Sequence, residues 1–232
     1  MGPLAAVAFD LDGTLIDSRE DLARGVNLLR GELGLPPLPL EQVITFVGDG
    51  ALALVRRSLE IDRPGLTAEP LLPRFLELYD SVCLERTRAY PGIPALLEEL
   101  RPRLPLAVLT NKPEAISRRI LQSLGLASHF QALVGGDTLA ERKPHPAGLR
   151  YLAERFGCPV ERLCLVGDGR RDAEAAQAAG SPVILVSWGF TAAEKLALLP
   201  ASARASRPEE VAGILEGWAA AVPSDSLRLN TD

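Results

Sequence analysis

The chain has 232 residues, 47% of them apolar and 24% charged, with a formal net charge of −5. That balance is typical of a soluble globular protein with room for one large domain, or one plus a smaller insertion, and it excludes the strongly basic footprint of nucleic-acid binders. No apolar run approaches the ~20 residues of a membrane helix, and the opening MGPLAAVAFD lacks the basic start of a secretory signal.

In chain order, short apolar runs at 4–9, 104–110, 131–135, 162–167 and 181–187 have strand length and almost no polar residues. Strands covered by helices on both faces read this way. Between them lie helical patterns at 93–101, 114–124 (stopped by Gly125), 146–156 and 171–179 (halted by Gly180). Alternating strands and helices predict an α/β layered fold with right-handed crossovers. Residues 18–88 break the alternation: Leu22, Val26, Leu29 and Leu33, and later Leu72, Phe75, Leu76, Tyr79 and Val82, keep helical spacing with no strand candidate. A helical insertion after the first strand is expected there. The polar PSDSLRLNTD at the end reads as a loose tail. The odd cysteines Cys83, Cys158 and Cys164 form no CxxC pair, which points to free thiols in a reducing cytoplasm.

Function in open α/β sheets sits beyond the carboxyl ends of the strands. Those ends carry Asp10-Leu11-Asp12-Gly13-Thr14, Thr110-Asn111-Lys112, Gly135-Gly136-Asp137 followed by Lys143, and Gly167-Asp168-Gly169-Arg170-Arg171-Asp172. Only three lysines accompany 22 arginines, and two of them, Lys112 and Lys143, fall in this set. Asp10 and Asp12, two residues apart at a strand end, are expected to point the same way, because side chains alternate faces with period 2. Like charges so close disfavour ionisation unless a cation lies between them. Asp10, Asp12 and Asp168 supply hard oxygens for Mg²⁺, while Thr110 and Lys143 suit phosphate oxygens. An ionised Asp attacks phosphorus directly, and a second carboxyl serves as acid and then base.

DLDGT, LTNK, RKPHP and GDGRRD, in this order, resemble the four motifs of the haloacid dehalogenase-like hydrolases, from Val7 to about Gly189. VGDG (47–50), YPGI (90–93), LTNKP (109–113) and GGD with RKPHP are most similar to the phosphoglycolate phosphatases. The resemblance implies a Rossmann-like doubly wound parallel sheet (1–17 plus 89–222), an inserted all-helical cap domain (18–88) and a tail at 223–232. It implies Asp10 as nucleophile, Asp12 as general acid/base, and Thr110, Asn111 and Lys143 around the phosphate. Mg²⁺ would be held by Asp10, Asp168 and the backbone carbonyl of Asp12, with Asp172 acting through Lys143 or a metal-bound water. The family usually has Ser or Thr where this chain has Gly169, which leaves the geometry of that loop open.

Within the insertion, Asp49, Arg56 and Arg57 are candidate substrate contacts, since an arginine fork matches a carboxylate; a solvated helix face is the competing interpretation. Asn111 and Lys112 are candidates for orienting the second loop. The expected partner is a small phosphorylated metabolite, foremost 2-phosphoglycolate, with no nucleic acid or membrane partner, and the chain acting as a monomer or homodimer. A phosphosugar mutase and a silent phosphate-binding module are the alternatives.

Overall fold

The computed structural model describes residues 3–220; the tail expected at 223–232, and the last two residues assigned to the core, lie outside them. The first strand, β1 (Ala6–Phe9), leads into a two-residue strand, β2 (Ile16–Asp17). Four helices follow, α1 (Arg19–Glu32), α2 (Leu40–Ile44), α3 (Ala51–Glu60) and α4 (Leu72–Val82), and the chain returns through β3 (Arg88–Ala89). Strict alternation then begins with α5 (Ile93–Leu100), β4 (Leu106–Leu109), α6 (Glu114–Ser123) and β5 (Ala132–Val134). It continues with α7 (Ala147–Arg155), β6 (Leu163–Gly167), α8 (Arg170–Ala179), β7 (Val183–Val186), α9 (Ala193–Ala197), β8 (Ala203–Ala205) and α10 (Pro208–Ala220). All five predicted apolar runs are strands, trimmed at their ends. β8, whose sequence is Ala-Arg-Ala, carries no apolar run to announce it.

The six-stranded sheet has the order β5-β4-β1-β6-β7-β8, and every pairing in it is parallel. The chain winds outward from β1 through β4 and β5, then crosses back and winds the other way through β6, β7 and β8. That reversal opens a crevice at the carboxyl ends of β1, β4 and β6. Alternation divides β1 between two cores: Val7 and Phe9 join one apolar cluster, Ala6 and Ala8 the other. The small side chains of Ala6, Ala8 and Ala107 share their cluster with Leu149 and Leu152 of α7 and Ala173 and Ala176 of α8.

The helical insertion shares an apolar cluster with the sheet face: Val26, Leu54, Phe75 and Tyr79 belong with Val7, Leu11 and Val166. Phe75 and Tyr79 stack with centroids 5.9 Å apart. Fully buried Arg30 donates to the carbonyls of Pro36 and Ser58 and pairs with Asp62, so its charge is compensated. The connecting segments pair with each other, Ile16 opposite Ala89 and Asp17 opposite Arg88, antiparallel. Buried Asp21 fixes the returning segment by accepting from the backbone N–H of Arg86 at 3.0 Å and from both the N–H and hydroxyl of Thr87 at 2.8 Å. No helix among the described residues is long and apolar enough to cross a membrane.

Candidate active site

Asp10 is the first residue beyond β1, and its N–H extends the ladder to Val166 at 2.8 Å. Its Oδ1 accepts the Leu11 N–H at 2.7 Å and meets Lys143 Nζ at 2.9 Å. Asp168 follows β6 in the same way, with Oδ2 accepting the Phe190 N–H at 2.6 Å. Two glycines allow this packing. Gly13 takes φ +82°, and a side chain there or at Gly189 would overlap the Asp168 carboxylate. Asp172, in the first turn of α8, meets Lys143 Nζ at 2.6 Å through Oδ1 and accepts the Gly169 N–H at 3.1 Å through Oδ2. The loop that Gly169 left open is thus held by Asp172 bonding back to the helix cap, with no hydroxyl required.

Carboxylate oxygens of Asp10, Asp168 and Asp172 all lie within 4.8 Å of one another. One ammonium, Lys143, contacts two of the three. Burial pushes Asp10 up to about 6, with Lys143 opposing and Asp172 adding to the rise. Burial, then repulsion from Asp172 and Asp10, pushes Asp168 up to about 8. For Lys143 burial works against the charge, but Asp10 and Asp172 outweigh it and raise the ammonium to about 12. Three carboxylates this close, two of them buried and Asp10 partly exposed, with one cation among them fit a hard divalent ion, which would favour their charged forms. The third carboxylate of the trio is Asp172, not that of Asp12.

β alternation ends at Phe9, so the expectation that Asp10 and Asp12 share one direction does not apply past that point. The chain turns, and the Asp12 carboxylate accepts from Lys112 Nζ through both oxygens, at 2.8 and 2.9 Å, and from Ser18 Oγ at 2.5 Å. Each of the two aspartates therefore has its own lysine. The only hint in the sequence was the scarcity of lysine itself.

Thr110 is buried at the end of β4 and lines the same cavity, of about 930 Å³, as Asp10, Asp12 and Asp168. Asn111 lines it too, but its side-chain N–H groups are committed to the carbonyls of Gly48 (2.8 Å) and Lys143 (2.7 Å). That leaves its amide no donor for a phosphate; its role is to tie the insertion to the two loops. Asp137, in the loop after β5, accepts the Glu114 N–H at 2.7 Å and so caps α6.

The cavity lies between sheet rim and insertion. Asp49 of the insertion pairs with both Arg57 and Arg171, the latter from α8 of the sheet unit. Burial works to raise Asp49, but the two guanidinium groups outweigh it and hold the carboxyl below its usual range. Arg57 also donates to the Phe46 carbonyl at 3.0 Å. Arg56 points elsewhere, paired with Glu69 at 2.9 Å with both side chains about half exposed, and does not line the cavity. Trp188 donates from Nε1 to the Thr14 carbonyl at 3.0 Å, packing over the first loop.

The model of the haloacid dehalogenase-like hydrolase family matches residues 4–180. Among similar proteins, a phosphoglycolate phosphatase of Chromobacterium violaceum is 41% identical over 198 residues, covering 83% of this chain and 89% of that protein. One from Nitrosospira multiformis is 42% identical over 193 residues, covering 81% and 85%. The crystal structure of a predicted phosphoglycolate phosphatase from Haemophilus somnus superposes with a TM-score of 0.86 at 31% identity, covering 92% of this chain and 99% of that one. With the four strand-end clusters assembled around one crevice, and relatives matched along most of their length, this chain belongs to the haloacid dehalogenase-like hydrolase family.

Proposed function

We propose that this chain is a Mg²⁺-dependent phosphomonoester hydrolase working through an aspartyl-phosphate on Asp10, with 2-phosphoglycolate as its leading substrate. The observation that carries the reading is the trio of partly exposed Asp10 and buried Asp168 and Asp172 around a single Lys143. Asp10 and Asp168, with the backbone carbonyl of Asp12, would hold the ion, and Asp172 would act through Lys143, since both its oxygens already have partners. The ion, when bound, keeps the carboxylates ionised and withdraws charge from the phosphoryl oxygens.

The remaining work falls to the chain. The Leu11 N–H and Lys143 both engage Asp10 Oδ1, which orients the carboxylate that would attack phosphorus. Lys143 Nζ and the Thr110 hydroxyl hold phosphoryl oxygens in line with Asp10. Asp12, facing the cavity, gives a proton to the leaving alkoxide and then takes one from the water that hydrolyses the acyl phosphate. The insertion acts as a cap that keeps bulk water out. Arg57, already oriented by Asp49, is the cap residue suited to a substrate carboxylate.

A panel of phosphate monoesters with and without Mg²⁺ tests this, the expected result being Mg²⁺-dependent phosphate release that is fastest with 2-phosphoglycolate. The chamber is roomy for a two-carbon substrate, so the panel includes glucose 1-phosphate and glucose 6-phosphate. Isomerisation between those two without phosphate release would favour a phosphosugar mutase, and no turnover of any ester would sink the enzymatic reading. A smaller effect is expected at the cap contact: Arg171→Ala removes one partner of a partly exposed pair worth about 1 kcal/mol or less. KM is expected to rise up to about five-fold and the thermal midpoint to fall by no more than about 4 °C; steady-state kinetics at low and high salt beside a thermal melt checks this.

A further inference from the structure

The structure has two buried lysines at the sheet rim, and the phosphoryl chemistry proposed for Asp10 uses one. Lys112 has a side chain only 4% exposed, and its ammonium spans both oxygens of Asp12 at 2.8 and 2.9 Å. The same ammonium sits over the ring of Tyr79, 4.7 Å from its centroid. Tyr79 belongs to α4 of the insertion, and Ser18, which donates to Asp12 at 2.5 Å, stands at the head of α1. Asp12 is therefore held from two sides, by a lysine of the sheet unit and a hydroxyl at the start of the insertion, and the lysine is itself braced by an insertion aromatic.

We infer that Lys112 is a positioning residue for Asp12, which keeps this carboxylate out of the Asp10–Asp168–Asp172 cluster and aims it at the reacting ester oxygen when Tyr79 is seated. The physical case is one of competing attractions. Asp12 is two residues from Asp10, and an anion on so short a tether is drawn to the Lys143 ammonium and to any divalent ion beside it. A carboxylate lost to that cluster is removed from proton transfer. A second ammonium, desolvated and seated against an aromatic face, supplies an opposing attraction of similar kind. Because Tyr79 travels with the insertion, the brace is complete only when the insertion is down over the rim. Positioning of the proton donor is thereby tied to closure. Asn111 strengthens the tie from the adjacent position, bonding the Gly48 carbonyl of the insertion.

The inference rests on the proposed role of Asp12, so the test separates the two. The Mg²⁺-loaded full chain is assayed with p-nitrophenyl phosphate, whose leaving group needs little protonation, and with the best alkyl phosphomonoester of the panel. Lys112→Met is expected to lower kcat for the alkyl ester about 100-fold, to change KM less than about three-fold, and to slow phosphoenzyme formation from the p-nitrophenyl ester far less. Asp12→Asn is expected to match it, and the Asp12→Asn/Lys112→Met double variant to be no slower than Asp12→Asn alone. Losses that multiply in the double variant, or a Lys112→Met enzyme within about three-fold of wild type, overturn the positioning role. A wild-type chain that turns over neither ester overturns the function instead. Should Lys112→Met fail to fold, Lys112→Gln, which keeps a donor and most of the volume, takes its place in the same cycle; non-multiplying losses again support the role, and multiplying ones overturn it.

Discussion

Asp10→Asn is expected to abolish turnover while raising the thermal midpoint of the metal-free protein. The first half follows from chemistry: an amide does not attack phosphorus, and loss of a nucleophile costs on the order of 10⁴-fold or more in kcat. The second half follows from crowding. Asp10, Asp168 and Asp172 share one site with a single ammonium, and desolvation with mutual repulsion pushes Asp10 and Asp168 above their usual range. Taking one anion from that set relieves repulsion, while Lys143 keeps its 2.6 Å partner in Asp172. Calorimetry of the chelator-treated proteins beside a phosphate-release assay reads both effects. Retention of full Mg²⁺-dependent turnover by the variant removes Asp10 from the nucleophile role.

Chelation is expected to stop the reaction, and the affinity for restored Mg²⁺ should depend steeply on pH. Asp168, at about 8, and Asp10, at about 6, must both lose protons before they can serve as ligands. From those values apparent affinity tightens about 20- to 30-fold between pH 6.5 and 8.5, nearly all of it from Asp168, with proton release on binding. Titration calorimetry in buffers of different ionisation heat measures both quantities.

The sign for stability is opposite in the metal-free protein. A carboxyl raised in the folded state binds more protons than its unfolded counterpart, so the stability it lends is whole below the unfolded value near 3.8 and drains away as pH climbs through about 8. Carboxyls held below their usual range, such as Asp17 and Asp49, are already ionised across pH 6–8 and do not mask this. The metal-free midpoint should therefore fall from pH 6 to pH 8, and saturating Mg²⁺ should flatten the decline. A midpoint that rises over that interval contradicts the crowded-carboxylate picture.

The sequence made the rim of the sheet legible and left its cross-links hidden, for a physical reason. Asp10, Thr110, Lys143 and Asp168 stand at or near the carboxyl ends of strands whose apolar runs are visible in one dimension, and topology alone gathers them. Lys112 with Asp12 and Arg171 with Asp49 join residues 100 and 122 positions apart, and no local pattern announces such a partner. Arg56 and Arg57 illustrate the same boundary within one helix. α3 buries Leu54, Val55, Ser58 and Leu59, and consecutive residues are about 100° apart around the axis, so only the docking of α3 decides which guanidinium meets the cavity. Asn111 was recognisable as a loop residue, but the two carbonyls that claim its amide come from distant segments.

The β2–β3 ribbon is only two residue pairs wide. Because Ile16 and Ala89 lie directly opposite one another, about 5 Å apart as paired strands must be, everything from 18 to 87 hangs from the sheet as a side-loop with coincident ends. An insertion of different length at that stalk would leave the parallel strands joined as they are, but it would have to rebuild the rim contacts that Ser18, Gly48, Asp49 and Tyr79 now make.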